Sequence, residues 1–119
     1  MYRLTAFAGV FVALTAIGGV TGGVAAAGPV GYDTCGESAY VTGLYTDLAH
    51  NNPPADRAGA VTRAQGFRDN APAELAGDAA IEAEAETAVL GGASVDVLQN
   101  DPVIQAWGDV MDWHTGHCL

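Results

Sequence analysis

The chain contains two cysteines, Cys35 and Cys118, and their wide separation constrains how the residues between them can fold. A disulfide between them would close a loop of about 84 residues and destabilise the unfolded chain by roughly 4.5 kcal/mol. Metal-binding cysteines usually come in closely spaced pairs, which this sequence lacks. Lipid modification requires small apolar residues before the cysteine, and Asp33-Thr34 do not fit that pattern. A disulfide is therefore favoured, with a catalytic thiol as the alternative.

Residues 1–27 have the pattern of a secretion signal. Arg3 supplies a positive charge, and the apolar stretch from Leu4 to Val20 contains no ionisable side chain. A glycine-containing break follows, and Ala25 and Ala27 provide the small residues of a cleavage site. We predict one secreted domain, residues 28–119, located in the cell envelope or outside the cell, where a cysteine pair is oxidised. If it were not cleaved, the apolar stretch would be a marginal membrane anchor, because it is short for a span.

Acidic residues outnumber basic ones by a wide margin. The chain has 14 aspartates and glutamates against four arginines, and its net charge at pH 7 is −10. Nucleic acids and anionic lipid surfaces are bound through cations, so this charge would repel both. We expect no nucleic-acid partner and, after signal cleavage, no membrane partner. The favoured explanation of the acidity is a solvated surface that keeps the protein soluble.

The secreted part predicts an all-α fold: a small up-and-down bundle of about four short helices, closed by one disulfide. Strand-like alternation of β-branched and aromatic residues is nearly missing. The first helix is predicted to begin at the capping box Thr34–Glu37 and to stop near His50, before two asparagines and two prolines. Its apolar face follows the helical spacing, with Val41, Leu44, Tyr45 and Leu48.

The middle of the chain predicts two further helices. Asn52-Pro53 and Asn70-Ala71-Pro72 each resemble a helix cap followed by proline. The second helix, residues 55–69, has a narrow apolar face of Ala58, Val61, Ala64 and Phe67. The third, residues 72–90, ends at Gly91-Gly92 and is expected to bury Leu75, Ile81, Ala85, Ala88 and Val89. Its glutamates Glu82, Glu84 and Glu86 are interpreted as a solvated surface.

The last helix is predicted to open at Asp101-Pro102. Cys118 falls on its apolar side, so the disulfide would join the end of this helix to the start of the first. The broad apolar stripe of the helix consists of Val103, Ile104, Trp107, Val110, Met111 and His114. Trp113 lies off this stripe.

The sequence carries no motif of a known enzyme class. A nucleophile elbow, a phosphate-binding glycine loop and a histidine-based zinc protease motif are all missing, so we expect no enzyme and no catalytic residues. Two binding functions remain as hypotheses. A protein partner would contact an exposed patch at Trp113. A small-ligand carrier would use a pocket between the first and last helices, with candidate residues Tyr45, His50, Met111, His114 and His117.

The histidines and tyrosines offer two candidate cofactor sites. His114 and His117 are three residues apart, and Asp109 or Asp112 would complete a zinc or copper site. Histidine near a helix C-terminus is also favourable without a ligand, so we predict no metal site. Tyr45 and His50 are five residues apart and do not share a helix face well as haem ligands. We therefore expect no cofactor, with haem as the alternative.

The segment Asn70–Leu75, the pair Asp101-Pro102 and the ending Trp113–Cys118 together resemble a pattern of small exported actinobacterial helical proteins, most of which have no assigned activity. This resemblance implies that an early cysteine pairs with one at the C-terminus. The plan is also similar to that of mycobacterial haemophores, which implies haem binding in the cell envelope. The sequence lacks the recurring His-Pro pairs of haemophores, so no ligand residue is transferred.

The export signal makes a direct prediction about the mature protein. N-terminal sequencing of the exported chain should begin at Gly28, because signal peptidases cut after small residues such as Ala27. An exported chain that still begins at Met1 would contradict the signal and favour the anchor.

Overall fold

The computed structural model describes residues 31–119, so the predicted signal, residues 1–27, lies outside the described residues. Within residues 31–119 the chain forms four α-helices and no β-strand. The helices are α1 (Thr34–Ala49), α2 (Arg57–Asn70), α3 (Ala76–Leu90) and α4 (Asp101–Cys118). Two short 3₁₀ helices, Ala73–Leu75 and Val95–Gln99, precede α3 and α4. The predicted all-α bundle of four helices is confirmed.

Aspartates start the first two helices. The side chain of Asp33 accepts a hydrogen bond from the Gly36 amide at 2.9 Å, and Asp56 accepts one from the Gly59 amide at 2.9 Å. Glycine suits both positions, because a Cβ atom there would collide with the cap carboxylate. The predicted caps at Thr34 and Asn52 are therefore wrong. The cap of α1 is Asp33, one residue before the predicted one, and the cap of α2 is Asp56, at the end of the connection 51–56.

The helices pack through small side chains around two apolar clusters. α3 lies against α2 and α4, and α1 contacts the other three helices. One cluster surrounds Leu48 and Leu98, and the other surrounds Phe67 and Val110. Six of the buried apolar residues are alanines, which bring the helix axes close but bury little area each: Ala60, Ala64, Ala79, Ala83, Ala85 and Ala106.

Several predicted core positions face solvent instead. Ile81, Ile104 and Met111 are 39–40% exposed, and Ala58 and Ala88 are exposed as well. In α4 the fully buried residues are Val103, Ala106 and Val110, a narrower stripe than the predicted one. The narrow stripe suffices because α4 lies at the edge of a small bundle, where α1 and α3 cover one side of it.

The Cys35–Cys118 disulfide joins the first turn of α1 to the last turn of α4. The two Cα atoms are 5.7 Å apart, which is within the usual range for a disulfide. The predicted bond is present and joins the first and last described helices at one end of the bundle. None of the helices between residues 31 and 119 combines the length and the apolar character needed to cross a lipid bilayer.

Removing the disulfide should cost a large part of the stability. A Cys35→Ser/Cys118→Ser variant is expected to lose about 2–5 kcal/mol of unfolding free energy, because the unfolded chain regains the entropy of the open loop. Urea unfolding followed by circular dichroism measures this loss. Reduction of the wild-type protein should reproduce it, and equal unfolding midpoints with and without the bond would contradict it.

Candidate functional site

A cleft of about 220 Å³ lies at the end of the bundle far from the disulfide. Leu48 comes from the last turn of α1, Arg57 from the first turn of α2 and Val89 from the last turn of α3. Leu48 is thirteen residues after Cys35 on α1, or about 20 Å along the helix axis. Pro53 and Val95 complete the apolar walls, and the polar side chains are those of Asn51 and Arg57.

The cleft is bordered by two helix ends that use the same turn. Asn51 after α1 has φ 61°, and Gly92 after α3 has φ 112°, both in the left-handed region. The Asn52 amide donates to the Asp47 carbonyl at 2.8 Å, and the Ala93 amide donates to the Ala88 carbonyl at 2.9 Å. These are Schellman-type ends, which asparagine and glycine tolerate best. The stop signals in the sequence predicted both ends, but not that they would meet.

Arg57 is the charged group of the cleft. Its Nη1 donates to the Leu90 carbonyl at 3.0 Å, which holds the guanidinium beside the end of α3. The other two arginines between residues 31 and 119 pair with carboxylates: Arg63 with Glu37 and Arg68 with Asp69, both at 2.9 Å. No ion pair of these described residues involves Arg57, so its remaining donors face the cleft and solvent without a carboxylate.

Tyr45, a predicted ligand residue, is part of the core. It is 6% exposed, its ring stacks on Trp107 at a centroid distance of 4.9 Å, and its hydroxyl donates to the Leu98 carbonyl. Burial raises the pKa of Tyr45, and the nearby charges of Glu82 and Glu86 raise it further. Its hydroxyl is thus already engaged with the segment before α4.

His114 of α4 faces α1 and contacts Ser38 there, and its predicted role as a ligand residue stays a prediction. Its Nδ1 is 2.8 Å from the hydroxyl of Ser38, which also donates to the Cys35 carbonyl at 3.0 Å. Because a hydroxyl has one proton, Nδ1 of His114 is the donor in their bond. Met111 is 40% exposed on the outside of α4.

His50 lies at the other end of α1 from this pair. Its Nδ1 donates to the Thr46 carbonyl at 2.8 Å. Ser38, which holds His114, is twelve residues away along α1, or about 18 Å. The fold therefore does not bring His50 and His114 to one ligand.

Trp113 and His117 form a separate surface group on α4. Their rings stack at a centroid distance of 4.4 Å, and Trp113 Nε1 donates to Glu74 at 3.2 Å. The half-buried indole is thus held in place by two neighbours. His114 bonds to Ser38 on α1, whereas His117 bonds to the Trp113 carbonyl within α4. Among residues 31–119, no three histidine, cysteine, aspartate or glutamate side chains are arranged to hold a metal ion.

Glu82 and Glu86 overturn the interpretation of the glutamate run as a solvated surface. Both are 0% exposed, whereas Glu84 between them faces solvent. They are four residues apart and lie on the inner side of α3, with Ala79, Ala83 and Val89. If polarity is ignored, these positions follow the helical spacing of a buried face, which is the signal that could have found them.

Burial sets the protonation of this pair. It raises the pKa of Glu82 from 4.5 to about 8, and it raises the pKa of Glu86 well above its ordinary value, with the charge of Glu82 adding to the effect. The row continues to Asp78 on α3, whose pKa is raised by burial and by Asp109 on α4. A line of carboxyl groups therefore runs from the core to the edge of the α3–α4 contact.

No protein-family model matches the chain, and no curated protein or solved structure shows significant similarity to it. The resemblance to exported actinobacterial proteins and haemophores stays a prediction.

The hydroxyl of Tyr45 should contribute measurably to stability. Tyr45→Phe leaves the Leu98 carbonyl without its partner, and we expect a loss of about 1 kcal/mol in urea unfolding. Tyr32→Phe is the matched control, because the Tyr32 hydroxyl is buried without a hydrogen-bond partner and its removal should cost nothing. Equal losses in both variants would show that the Tyr45 hydrogen bond has no stabilising role.

Proposed function

We propose that this protein is an exported, non-catalytic binding module that holds a small apolar carboxylate in the cleft at Arg57. The observation that carries the proposal is the pairing of the arginines. Arg63 and Arg68 are engaged with carboxylates of the protein, whereas Arg57 borders a cleft of mixed polar and aliphatic lining without one among the described residues. The lining contains no nucleophile and no general base, which supports binding rather than catalysis.

Charge complementarity selects an anion. The chain has a net charge of −10, so most of its surface repels anions and an unpaired guanidinium is a local exception. A guanidinium has five N–H donors, and the bond to the Leu90 carbonyl engages one of them. A carboxylate accepts two parallel hydrogen bonds from such a group. This geometry favours a ligand with a terminal carboxylate.

The walls select an apolar group of limited size. Leu48, Val89 and Val95 contribute aliphatic atoms to the lining; Val95 is the most exposed of the three, because Leu48 and Val89 are buried. At about 220 Å³ the cleft is smaller than the pockets of roughly 300–1,000 Å³ that hold drug-sized ligands. A short branched chain attached to the carboxylate fits these limits. Such a group occurs in a free small acid and in the carboxyl-terminal residue of a peptide.

Export and the partner surface bear on the proposal in different ways. A disulfide between distant cysteines is favoured outside the cytoplasm, which supports the export predicted from residues 1–27. A protein partner at Trp113 is less well supported, because the indole is already bonded to Glu74 and stacked on His117. The Arg57 cleft therefore carries the proposed function.

The test is titration calorimetry of the purified, oxidised protein with 4-methylpentanoate and with an N-acetylated tripeptide that ends in leucine. Arg57→Gln should raise the Kd at least about tenfold, because a charge-assisted hydrogen bond contributes roughly 1.5–3 kcal/mol. Arg68→Gln is the matched control and should leave the Kd unchanged, since Arg68 pairs with Asp69 on the surface.

The ligands themselves provide the second control. Replacing the carboxylate by an amide should weaken binding as much as the Arg57→Gln substitution does. Binding of the free acid or of the peptide alone identifies the source of the carboxylate. If neither probe binds, or if Arg57→Gln binds like the wild type, the cleft is not a carboxylate site.

A further inference from the structure

The second unusual feature of the bundle is the Glu82–Glu86 pair in α3. Both side chains are fully buried, and none of their four carboxylate oxygens has a hydrogen-bond donor when both groups are ionised. The two residues are four positions apart on the buried side of α3, so their side chains are neighbours one helical turn apart. A bond between them requires a proton on one partner, because ionised carboxylates only accept.

The cations of the described residues lie elsewhere. Nη1 of Arg57 donates a hydrogen bond to the Leu90 carbonyl. Arg63 forms an ion pair with Glu37, and Arg68 forms one with Asp69. The three histidines also have other partners: His50 bonds to Thr46, His114 to Ser38 and His117 to Trp113.

The groups that face the pair from other elements do not compensate its charge. Tyr45 faces it from α1, and its hydroxyl is engaged with Leu98. Asp78 on α3 lies next along the row and is itself close to Asp109 of α4. From α2 the nearby charge is Arg68, which acts on the exposed Glu84. The acidic residues of the 3₁₀ helices, Glu74 and Asp96, face solvent.

Two ionised carboxylates cannot be accommodated in such surroundings. Burial of an uncompensated charge is costly, and a second like charge in contact adds to the cost. One proton halves the charge of the pair and supplies a donor that the neighbouring carboxylate can accept, and a second proton leaves the pair neutral. The protonated pair is therefore compatible with the packing of α3, and the fully ionised pair is not.

We propose that Glu82 and Glu86 form a proton-operated lock: α3 packs against the other helices when the pair is protonated, and this packing loosens when the pair ionises. Neither glutamate lines the ligand cleft, so the lock does not rest on ligand binding there, although α3 also supplies Val89 to the cleft wall. It would make the closed bundle the acid form of the protein, whose α3 opens as the surroundings become alkaline.

The direction of the pH effect follows from proton binding. The pKa of a glutamate in the unfolded chain is near 4.5, and that of Glu82 in the folded protein is about 8. Between these values the folded protein binds more protons than the unfolded chain, so stability falls as the pH rises. Below pH 4.5 the protonated pair makes its full contribution to the free energy of unfolding. Once the pH exceeds the pKa of the pair in the folded protein, this contribution is lost and stability stops falling.

The lock is tested by thermal unfolding of the purified, oxidised protein between pH 5 and pH 8.5. The wild-type Tm should fall by more than about 10 °C over this interval, because the folded protein binds more protons than the unfolded chain and loses them as the pH rises. Glu82→Gln/Glu86→Gln replaces the protonated pair by a neutral one of similar shape, so its Tm should change far less with pH and exceed that of the wild type at pH 8.5.

Glu84→Gln is the matched control. It removes one charge from the same helix on the solvent side, so its Tm should follow the wild-type pH dependence. If Glu84→Gln flattens the curve as strongly as the double variant does, general charge repulsion is the cause and the lock is wrong. Parallel curves for the wild type and the double variant would also overturn it.

Infrared spectroscopy tests the lock without any variant. The wild-type protein at pH 7 should show the carbonyl stretching band of a protonated carboxylic acid, which disappears as the pH rises above 8. Amide hydrogen exchange should lose protection in α3 over the same interval, more than in the first turn of α1 beside the disulfide. A wild-type spectrum without that band at pH 7 would overturn the proposal.

Discussion

The covalent bond between the first turn of α1 and the last turn of α4 is the constraint on which the rest of the bundle depends. The core is thin, because many of its members are alanines, which bury little apolar area. A chain of this size has a small margin of stability, and closing a long loop adds an amount comparable to that margin. The disulfide fixes one end of the bundle, and the opposite end is left to helix caps and turns. The cleft at Arg57 lies at this second, less constrained end.

The helices were predictable because their signals are local. Asn51 and the prolines that follow it indicate the end of α1 after Ala49, and Gly91-Gly92 indicate the end of α3. The disulfide was predictable because the two cysteines have no other partners in the sequence. Where the prediction of a cap was wrong, a neighbouring residue that also favours cap positions occupies it. Asp33 rather than Thr34 caps α1, because its carboxylate accepts a hydrogen bond from the Gly36 amide.

The cleft at Arg57 and the buried Glu82–Glu86 pair were not predictable for a different reason: each depends on contacts between distant segments. The cleft combines the ends of α1 and α3 with Arg57, the first residue of α2. The residues next to Arg57 in the sequence do not indicate that its side chain will bond to the Leu90 carbonyl. Glu82 and Glu86 were assigned to solvent because carboxylates usually are. Their spacing along the helix indicates the buried face, whereas their charge indicates solvent. Only the packing of α3 decides between the two positions.

The disulfide has a consequence for the integrity of the protein once it meets proteases. The connection 51–56 between α1 and α2 is largely exposed and is bordered by turn residues, which is the kind of segment where proteases cut. Since the disulfide closes residues 35–118 into a covalent ring, a single cut in this connection opens the ring into two cross-linked peptides but releases no fragment. The two pieces stay joined through sulfur and keep the same helices side by side. A nicked molecule of this kind is, in effect, a circular permutant of the intact one.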